Sequence, residues 1–261
     1  MNENRVPGLL GRTAPHPEST HPRLQLEAFL DHAKLPPVPE TVNWCSKVMS
    51  WPMYLNDQLG DCTCAAVGHQ LQAWSAYGNT ELTVPQDSVL GLYESVGGYV
   101  PGNPATDQGC NVQDVLQYMV STGIPGNADG DQQKYKLFAQ IKNLKEMSTV
   151  YQGLYLFGSV YLGINVPQSA MDQFQAGQPW SYVGDDNILG GHAICVQAKL
   201  SNGDLDIITW GAVQTMEQSF WDNYVEEAWV VIDPEWINAT SGEAPEGLDL
   251  AGLEQAFKSL Y

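Results

Sequence analysis

The order of two hydrophobic patterns constrains the fold of this chain more than any other feature. Between about residues 62 and 152 the apolar residues recur at helical spacing, in segments that begin near residues 62, 85, 112 and 132. The later runs SVYLGINV, HAICVQAKL, LDIITWGAV and EEAWVVID are rich in β-branched residues, as strands are. Because helices precede strands, the sequence predicts an α+β fold with two segregated lobes, a helical lobe followed by a twisted antiparallel β lobe.

Composition divides the chain into three regions. Residues 1–40 are rich in proline and predict an extended arm that lies over the domain, an interpretation that we favour over a short propeptide blocking a site. Residues 41–240 form the globular domain, and residues 241–261 a C-terminal tail with a short helix. Within the domain, the segment 132–152 is predicted as one helix, and SNGD at 201–204 predicts a tight hairpin turn.

The charge balance narrows the classes of partner. The chain has 11 Lys+Arg against 30 Asp+Glu, a formal net charge of −19, which disfavours nucleic acid and anionic membrane surfaces as partners. The first twenty residues have no apolar signal core, and no later segment has the eighteen apolar residues that a membrane span needs. We therefore expect a cytoplasmic protein whose five cysteines stay reduced.

Two cysteines one residue apart open the first helical segment. The spacing C-T-C lacks the second pair that a structural zinc site requires, so no metal site is predicted. Cys62 follows Gly60 and Asp61 at the predicted helix start, where unpaired N–H groups favour a thiolate. A nucleophilic thiol also needs a base. His69 lies about 10 Å further along the same helix and is predicted to be a core residue, whereas His192 opens a strand after two glycines and is the candidate base.

These residues stand in a pattern that resembles the papain-like cysteine peptidase family over roughly residues 36–232. PETVNW resembles the family's mature start, and Cys62 follows its tryptophan, Trp44, at the family's interval of eighteen residues. QGCNVQDVLQ resembles the Gly-Cys-Asn-Gly-Gly segment, GGHAICV the strand with the catalytic histidine, and ITWG the Asn-Ser-Trp-Gly motif. The resemblance implies a cleft between two lobes, with Cys62 as nucleophile, His192 as base and no cofactor or metal.

The amide that would stabilise the oxyanion depends on the alignment. Asn56 stands at the family's glutamine position if Cys62 is the nucleophile, and Gln58 does so if Cys64 is. Gly60 and the tryptophan interval favour Cys62, but both alignments, and a slip that pairs Gln58 with Cys62, remain open.

The chain departs from the family at the residue that orients the histidine. The family's asparagine is replaced by Ile208, which cannot accept a hydrogen bond from the imidazole. Thr209, Asp206 or a backbone carbonyl are the candidate substitutes, and Trp210 is expected to shield His192 from water.

The family's usual disulfide is expected to be absent. Cys110 stands where the family has one partner, but no cysteine lies three residues before Cys62, where the other would be.

Two functions fit the sequence. The first is a thiol hydrolase that cleaves peptide or other amide bonds through the Cys–His pair. The second is a catalytically weak or inactive papain-fold protein that serves as a structural or binding module, for example within a phage particle, with the arm contacting other protein subunits.

Overall fold

The computed structural model describes residues 5–78, 80–126, 130–233, 236 and 246–261. Its α-helices are α1 Cys62–Gly78, α2 Gln86–Gly97, α3 Val112–Ser121, α4 Met147–Phe157, α5 Gln168–Gln175, α6 Gln218–Tyr224 and α7 Leu250–Leu260, with short 3-10 helices at Leu26–Phe29 and Pro104–Thr106. Its strands are β1 Val42–Asn43, β2 Ile124–Pro125, β3 Gln132–Gln133, β4 Leu137–Ile141, β5 Val160–Pro167, β6 Ile188–Lys199, β7 Leu205–Thr209, β8 Ala212–Met216 and β9 Val225–Ile232.

One antiparallel sheet forms the β lobe, as the sequence predicts. Six of its seven strands lie in the order β4-β9-β5-β6-β7-β8, and the seventh, β1, pairs with β6. The predicted hairpin turn joins β6 to β7, in a register that pairs Lys199 with Leu205. Helix α1 packs against β6, and the Cys62 thiol at the start of α1 lies beside the backbone of Ala193 in β6. The predicted α+β class with two lobes is confirmed.

The single helix predicted for residues 132–152 is wrong. Leu137–Ile141 form an edge strand that pairs with β9, and helix α4 begins only at Met147. Four of the five residues of that strand are buried, so pairing with β9 buries apolar side chains on both faces of the sheet. Short apolar runs fit either period, and here tertiary pairing decides between them.

Helix α1 is buried on every side rather than along one stripe. All residues from Cys62 to Trp74 are buried. Its polar side chains are therefore hydrogen bonded within the core: Gln70 Nε2 donates to Ser159 Oγ at 3.0 Å and Gln70 Oε1 accepts from Tyr135 at 3.1 Å. A helix in this position is held rigidly, which fixes the residue at its first turn.

Three tryptophans close the C-terminal end of α4. The last carbonyls of a helix have no partner within it, and here indole N–H groups donate to those of the final turn. The bonds are Trp44 to Leu154 at 3.0 Å, Trp236 to Leu156 at 3.0 Å and Trp74 to Phe157 at 2.9 Å. The two lobes are thereby joined through one helix end.

The N-terminal arm lies in extended form against both lobes. The Leu9 N–H donates to the Asn56 carbonyl at 2.6 Å, and the Arg12 N–H donates to the Gly191 carbonyl of β6 at 3.0 Å. The backbone of Arg12 also forms an isolated parallel β-bridge with the backbone of Cys110. Among the described residues, none of the helices has the length and apolar character that crossing a bilayer requires.

A buried ion pair anchors the arm. The Arg12 side chain is 1% exposed and donates to Glu227 Oε1 at 3.1 Å, and it also pairs with Glu226. A β-carbon at Gly163 would lie 2.8 Å from Arg12 Cδ and 2.5 Å from Glu227 Oε1, so the glycine makes room for the pair. Burial raises the pKa of Glu227, while bonds from Trp229 and Arg12 act in the opposite direction.

We predict that Arg12→Met lowers the free energy of unfolding by about 3–5 kcal/mol, because it leaves the Glu227 carboxylate buried without its cation. The loss should be larger at pH 8 than at pH 5, since the unpaired carboxyl must be protonated in the folded state. Urea unfolding at both pH values measures it. Arg5→Met is the matched control, because Arg5 donates to the neutral groups Gln214 and Val213. A loss below about 1 kcal/mol for Arg12→Met would contradict a pair that stays buried.

Candidate active site

Strained backbone lies on both sides of the junction between the lobes. Tyr54 and Leu55 have φ of 55° and 71°, and Trp210 has φ of 46°. Such conformations cost on the order of 1–3 kcal/mol each for bulky residues and gather at functional sites. Asn56 follows the first strained pair and Thr209 precedes the strained tryptophan, so both side chains are aimed by these turns.

A small, partly enclosed cavity lies between these turns. Its volume is about 10 Å³, which is about one water molecule. Residues of both lobes line it: Met53, Asn56, Cys62, Ala65, Ala66, His69, His192, Ala193, Ile208, Thr209 and Trp210. Most of the residues that the sequence nominates for catalysis therefore meet in one place.

Cys62 is the first residue of α1 and is only 1% exposed. Burial raises the pKa of its thiol to about 12, and the nearby Asp61 also raises it, while backbone groups of Ala193 and Gly11 lower it. The thiolate expected from the helix N-terminus is thus not the resting form, because burial outweighs the helix dipole. In this state the sulfur is a neutral thiol.

His192 lies in β6 and is also 1% exposed. Its Nε2 lies 2.8 Å from Thr209 Oγ1, whereas its Nδ1 has no hydrogen-bond partner among the described residues. Burial lowers the pKa of His192 to about 3, with the charge of Arg12 and then His69 acting in the same direction. The imidazole is therefore neutral, with Nε2 hydrogen bonded to a hydroxyl, and the residue lines the same cavity as Cys62.

Of the candidate orienting residues, Thr209 alone contacts the histidine. The Asp206 carboxylate instead accepts from Thr215 Oγ1 at 2.7 Å on the neighbouring strand. Trp210 stacks on His192 with ring centroids 4.8 Å apart and an interplanar angle of 26°, in the position where it would exclude water from the ring. Ile208 lines the cavity and makes no polar contribution.

The two candidate oxyanion amides lie in different surroundings. Asn56 is 2% exposed, lines the cavity, and donates from Nδ2 to the Leu9 carbonyl at 3.1 Å and the Leu59 carbonyl at 3.2 Å. Gln58 is exposed, and its amide reaches only Asp57 at 3.5 Å. The structure brings Asn56, and not Gln58, to the cysteine and the histidine.

The alternative nucleophile does not share the cavity. Cys64 is fully buried, its sulfur lies 3.8 Å from Thr63 Oγ1, and burial together with the nearby Cys110 raises its pKa. Cys110 and the other cysteines are free thiols. The geometry therefore agrees with the alignment that uses Cys62.

The residues that sequence reasoning missed belong to the arm. Side chains at Gly8 and Gly11 would overlap the carbonyls of Asn56 and Gly60 respectively, so glycine is required for the arm to lie this close. The arm contacts two residues that line the cavity: the Leu9 carbonyl accepts from Asn56 Nδ2, and a side chain at Gly8 would overlap the Trp210 ring. The signal for it was the motif GLLG within a proline-rich segment.

Comparison with known proteins identifies the fold. No model of a known protein family matches the sequence, and no curated protein matches it significantly. Xylellain, a cysteine protease from Xylella fastidiosa, is 11% identical with a TM-score of 0.66, over 89% of this chain and 99% of that chain. Procathepsin B S9 from Trypanosoma congolense is 14% identical with a TM-score of 0.58, over 88% and 87% of the two chains. Procathepsin L 3 from Tenebrio molitor is 15% identical with a TM-score of 0.55, over 88% and 76%.

These similarities show that the chain has the papain-like fold of cysteine proteases, as the sequence resemblance predicts. At such identities they establish the fold alone.

His69 makes the stability of the fold depend on pH. It is 3% exposed, donates from Nε2 to the Pro52 carbonyl at 2.8 Å, and has its pKa lowered by burial to about 4. Between about pH 6.5 and pH 4 the His69 imidazole is protonated in the unfolded chain but neutral in the folded chain. This residue therefore makes the fold less stable as the pH falls.

We predict that His69→Gln reduces this acid sensitivity. Relative to the variant, the natural chain should lose about 1.4 kcal/mol of unfolding free energy per pH unit across that window. Urea unfolding at half-unit pH intervals measures the difference. His32→Gln, at an exposed histidine of the arm, is the control. Equal slopes for the natural chain and His69→Gln would show that this histidine titrates normally in the folded state.

Proposed function

We propose that this chain is a latent thiol hydrolase of amide bonds whose cleft is closed by its own N-terminal arm. One observation carries the proposal: the amide of Asn56 holds a peptide carbonyl, that of Leu9, at the edge of the cavity that contains Cys62 and His192. A donor that already binds a peptide carbonyl beside a thiol and an imidazole is placed for amide hydrolysis.

The proposed mechanism uses these groups in order. His192 Nδ1 accepts the Cys62 proton, and the sulfur attacks the substrate carbonyl. The oxyanion accepts hydrogen bonds from Asn56 Nδ2 and the Cys62 N–H. The imidazolium then returns its proton to the leaving amine as the C–N bond breaks, and water, deprotonated by His192, hydrolyses the thioester. Thr209 Oγ1 accepts from the Nε2–H group, which leaves the lone pair on Nδ1 for the proton transfer.

The docked arm keeps this pair in its unreactive protonation state. Burial raises the pKa of the thiol to about 12 and, together with Arg12, lowers the pKa of His192 to about 3, so proton transfer between them is strongly unfavourable. Departure of the arm admits water and removes the Arg12 charge, and both changes favour the thiolate–imidazolium pair. Procathepsin B S9 and procathepsin L 3, which resemble this chain in fold, are proforms, which agrees with a latent chain.

We predict that Gly11→Val displaces the arm and exposes the nucleophile. A side chain there overlaps the Gly60 carbonyl, whereas at Gly91 of α2 it meets nothing within 4 Å, so Gly91→Val is the matched control. Iodoacetamide at low stoichiometry, followed by peptide mass spectrometry, should label Cys62 at least about tenfold faster in Gly11→Val than in the natural chain. The buried Cys195 reports global unfolding and should stay unlabelled. Equal labelling of Cys62 in both variants would contradict closure by the arm.

We predict that hydrolysis of fluorogenic peptide amides by the arm-displaced chain depends on the hydroxyl at residue 209. In the Gly11→Val background, Thr209→Val should lower kcat/KM by about 10–100-fold because His192 loses the group that orients it, while Thr209→Ser should retain most of the rate. Cys62→Ala should abolish turnover. Equal rates for the valine and serine variants would remove Thr209 from the mechanism.

The alternative function, a structural or binding module such as a component of a phage particle, has its own support. His192 Nδ1 forms no bond to the Cys62 sulfur, and Ile208 replaces the residue that would orient the ring. A module would label at Cys62 once the arm is displaced and still hydrolyse nothing, so the two experiments together separate the functions. We further propose a reducing, cytoplasmic setting for the hydrolase, since its nucleophile must stay a thiol.

A further inference from the structure

Two imidazoles and one carboxylate meet where the arm crosses helix α3. His16 Nε2 lies 2.8 Å from Asp114 Oδ2, and the rings of His16 and His21 stack with centroids 3.9 Å apart and an interplanar angle of 12°. One ligand atom from each of the three residues lies within 4.8 Å of the other two. In a tetrahedral zinc site such atoms are separated by about 3.4 Å, so a small side-chain movement suffices to close the site.

The hydrogen bonds around His21 leave one of its nitrogens free for a metal. Thr20 Oγ1 donates its proton to the Pro17 carbonyl at 3.1 Å, so it must accept from His21 Nδ1, which lies 3.0 Å away. The lone pair of His21 is therefore on Nε2. A hydroxyl or carbonyl that fixes the far nitrogen of a ligating histidine is the usual support of metal-binding imidazoles.

The cluster remains open to solvent. The side chains of His16 and Asp114 are 29% and 46% exposed, so an ion can enter and retain water ligands. Two imidazoles and a carboxylate suit zinc and neighbouring transition metals, whereas magnesium and calcium prefer all-oxygen sites.

We propose that His16, His21 and Asp114 bind one divalent transition-metal ion, zinc by preference, and that this ion fastens the arm to α3. Asp114 is separated from His16 by 98 residues in sequence, so the ion cross-links distant parts of the chain. The Ala14 carbonyl, which accepts from Asn111 Nδ2 at 2.8 Å, already aligns the arm with the start of α3. Gly11 and Arg12 lie a few residues before this segment, so an ion that holds residues 16–21 in place favours the docked arm. Only this last consequence rests on the proposed function.

Metal binding tests the site without any activity measurement. The full chain, stripped of metal with a chelator, is titrated with cobalt(II) chloride followed by absorption, and with zinc chloride followed by metal analysis after dialysis. The natural chain should bind one ion, with weak visible bands and no intense sulfur-to-cobalt band, since cysteines take no part. His16→Ala, His21→Ala and Asp114→Ala should each lose at least about tenfold in affinity, and Thr20→Val about tenfold through His21.

The control is His32→Ala, an exposed arm histidine outside the cluster, which should bind as the natural chain does. Equal affinity for the three ligand variants and the natural chain would overturn the site, as would a dominant sulfur-to-cobalt band. Hydrogen exchange of the Leu9, Arg12 and Thr13 amides, which are bonded in the docked arm, tests the fastening. Zinc should slow their exchange in the natural chain and not in Asp114→Ala, and equal exchange would overturn the fastening. If the natural chain binds zinc in this way and the arm-displaced Gly11→Val chain hydrolyses nothing, the proposed function alone is refuted.

Discussion

The state of the cavity depends on an interaction that lies outside it, the buried pair of Arg12 and Glu227. A charge in the interior is tolerated only while its partner is present, so the arm cannot drift partly out of place without leaving Glu227 uncompensated. Gly8 and Gly11 allow the backbone on the near side of that anchor to lie directly on Asn56 and Gly60. Covering the cysteine is therefore a consequence of anchoring the arm, and the two behave as one event.

The chemistry of Cys62 shows how magnitude decides between opposing effects. A helix N-terminus stabilises a negative charge by about 0.3–1 kcal/mol, or about 2 in favourable geometry. Removing a charge from water costs several kcal/mol even after the protein relaxes. With the arm docked, burial prevails and the thiol stays protonated. The same helix end would favour the thiolate once water reached it, so one position supports two protonation states.

Much of the fold was readable from local pattern, and so was the nomination of Cys62 and His192, which line the same cavity. The strands that form β5, β6 and β9 have β-branched runs that no helix would need, and SNGD marks a turn that depends on its own residues alone. The edge strand at Leu137–Ile141 was not readable, because its choice between helix and strand is made by β9, almost ninety residues later in the chain. Thr209 could be named as a candidate but not chosen, since the contact with His192 depends on a turn at Trp210 and Gly211 with φ of 46° and 69°. The choice of Asn56 over Gln58 likewise depends on the strained turn at Tyr54 and Leu55.

The covalent link between the arm and the domain has a consequence for any competing ligand. A tethered segment samples its binding site at an effective concentration on the order of millimolar, whatever the concentration of the protein. If the arm closes the cleft as proposed, dilution does not release it, and a diffusing peptide must compete with this high local concentration of the arm. Cutting the chain between the arm and the domain would convert this intramolecular equilibrium into a bimolecular one. The severed arm would then be lost on dilution, and the same contacts would act as an inhibitor supplied in trans.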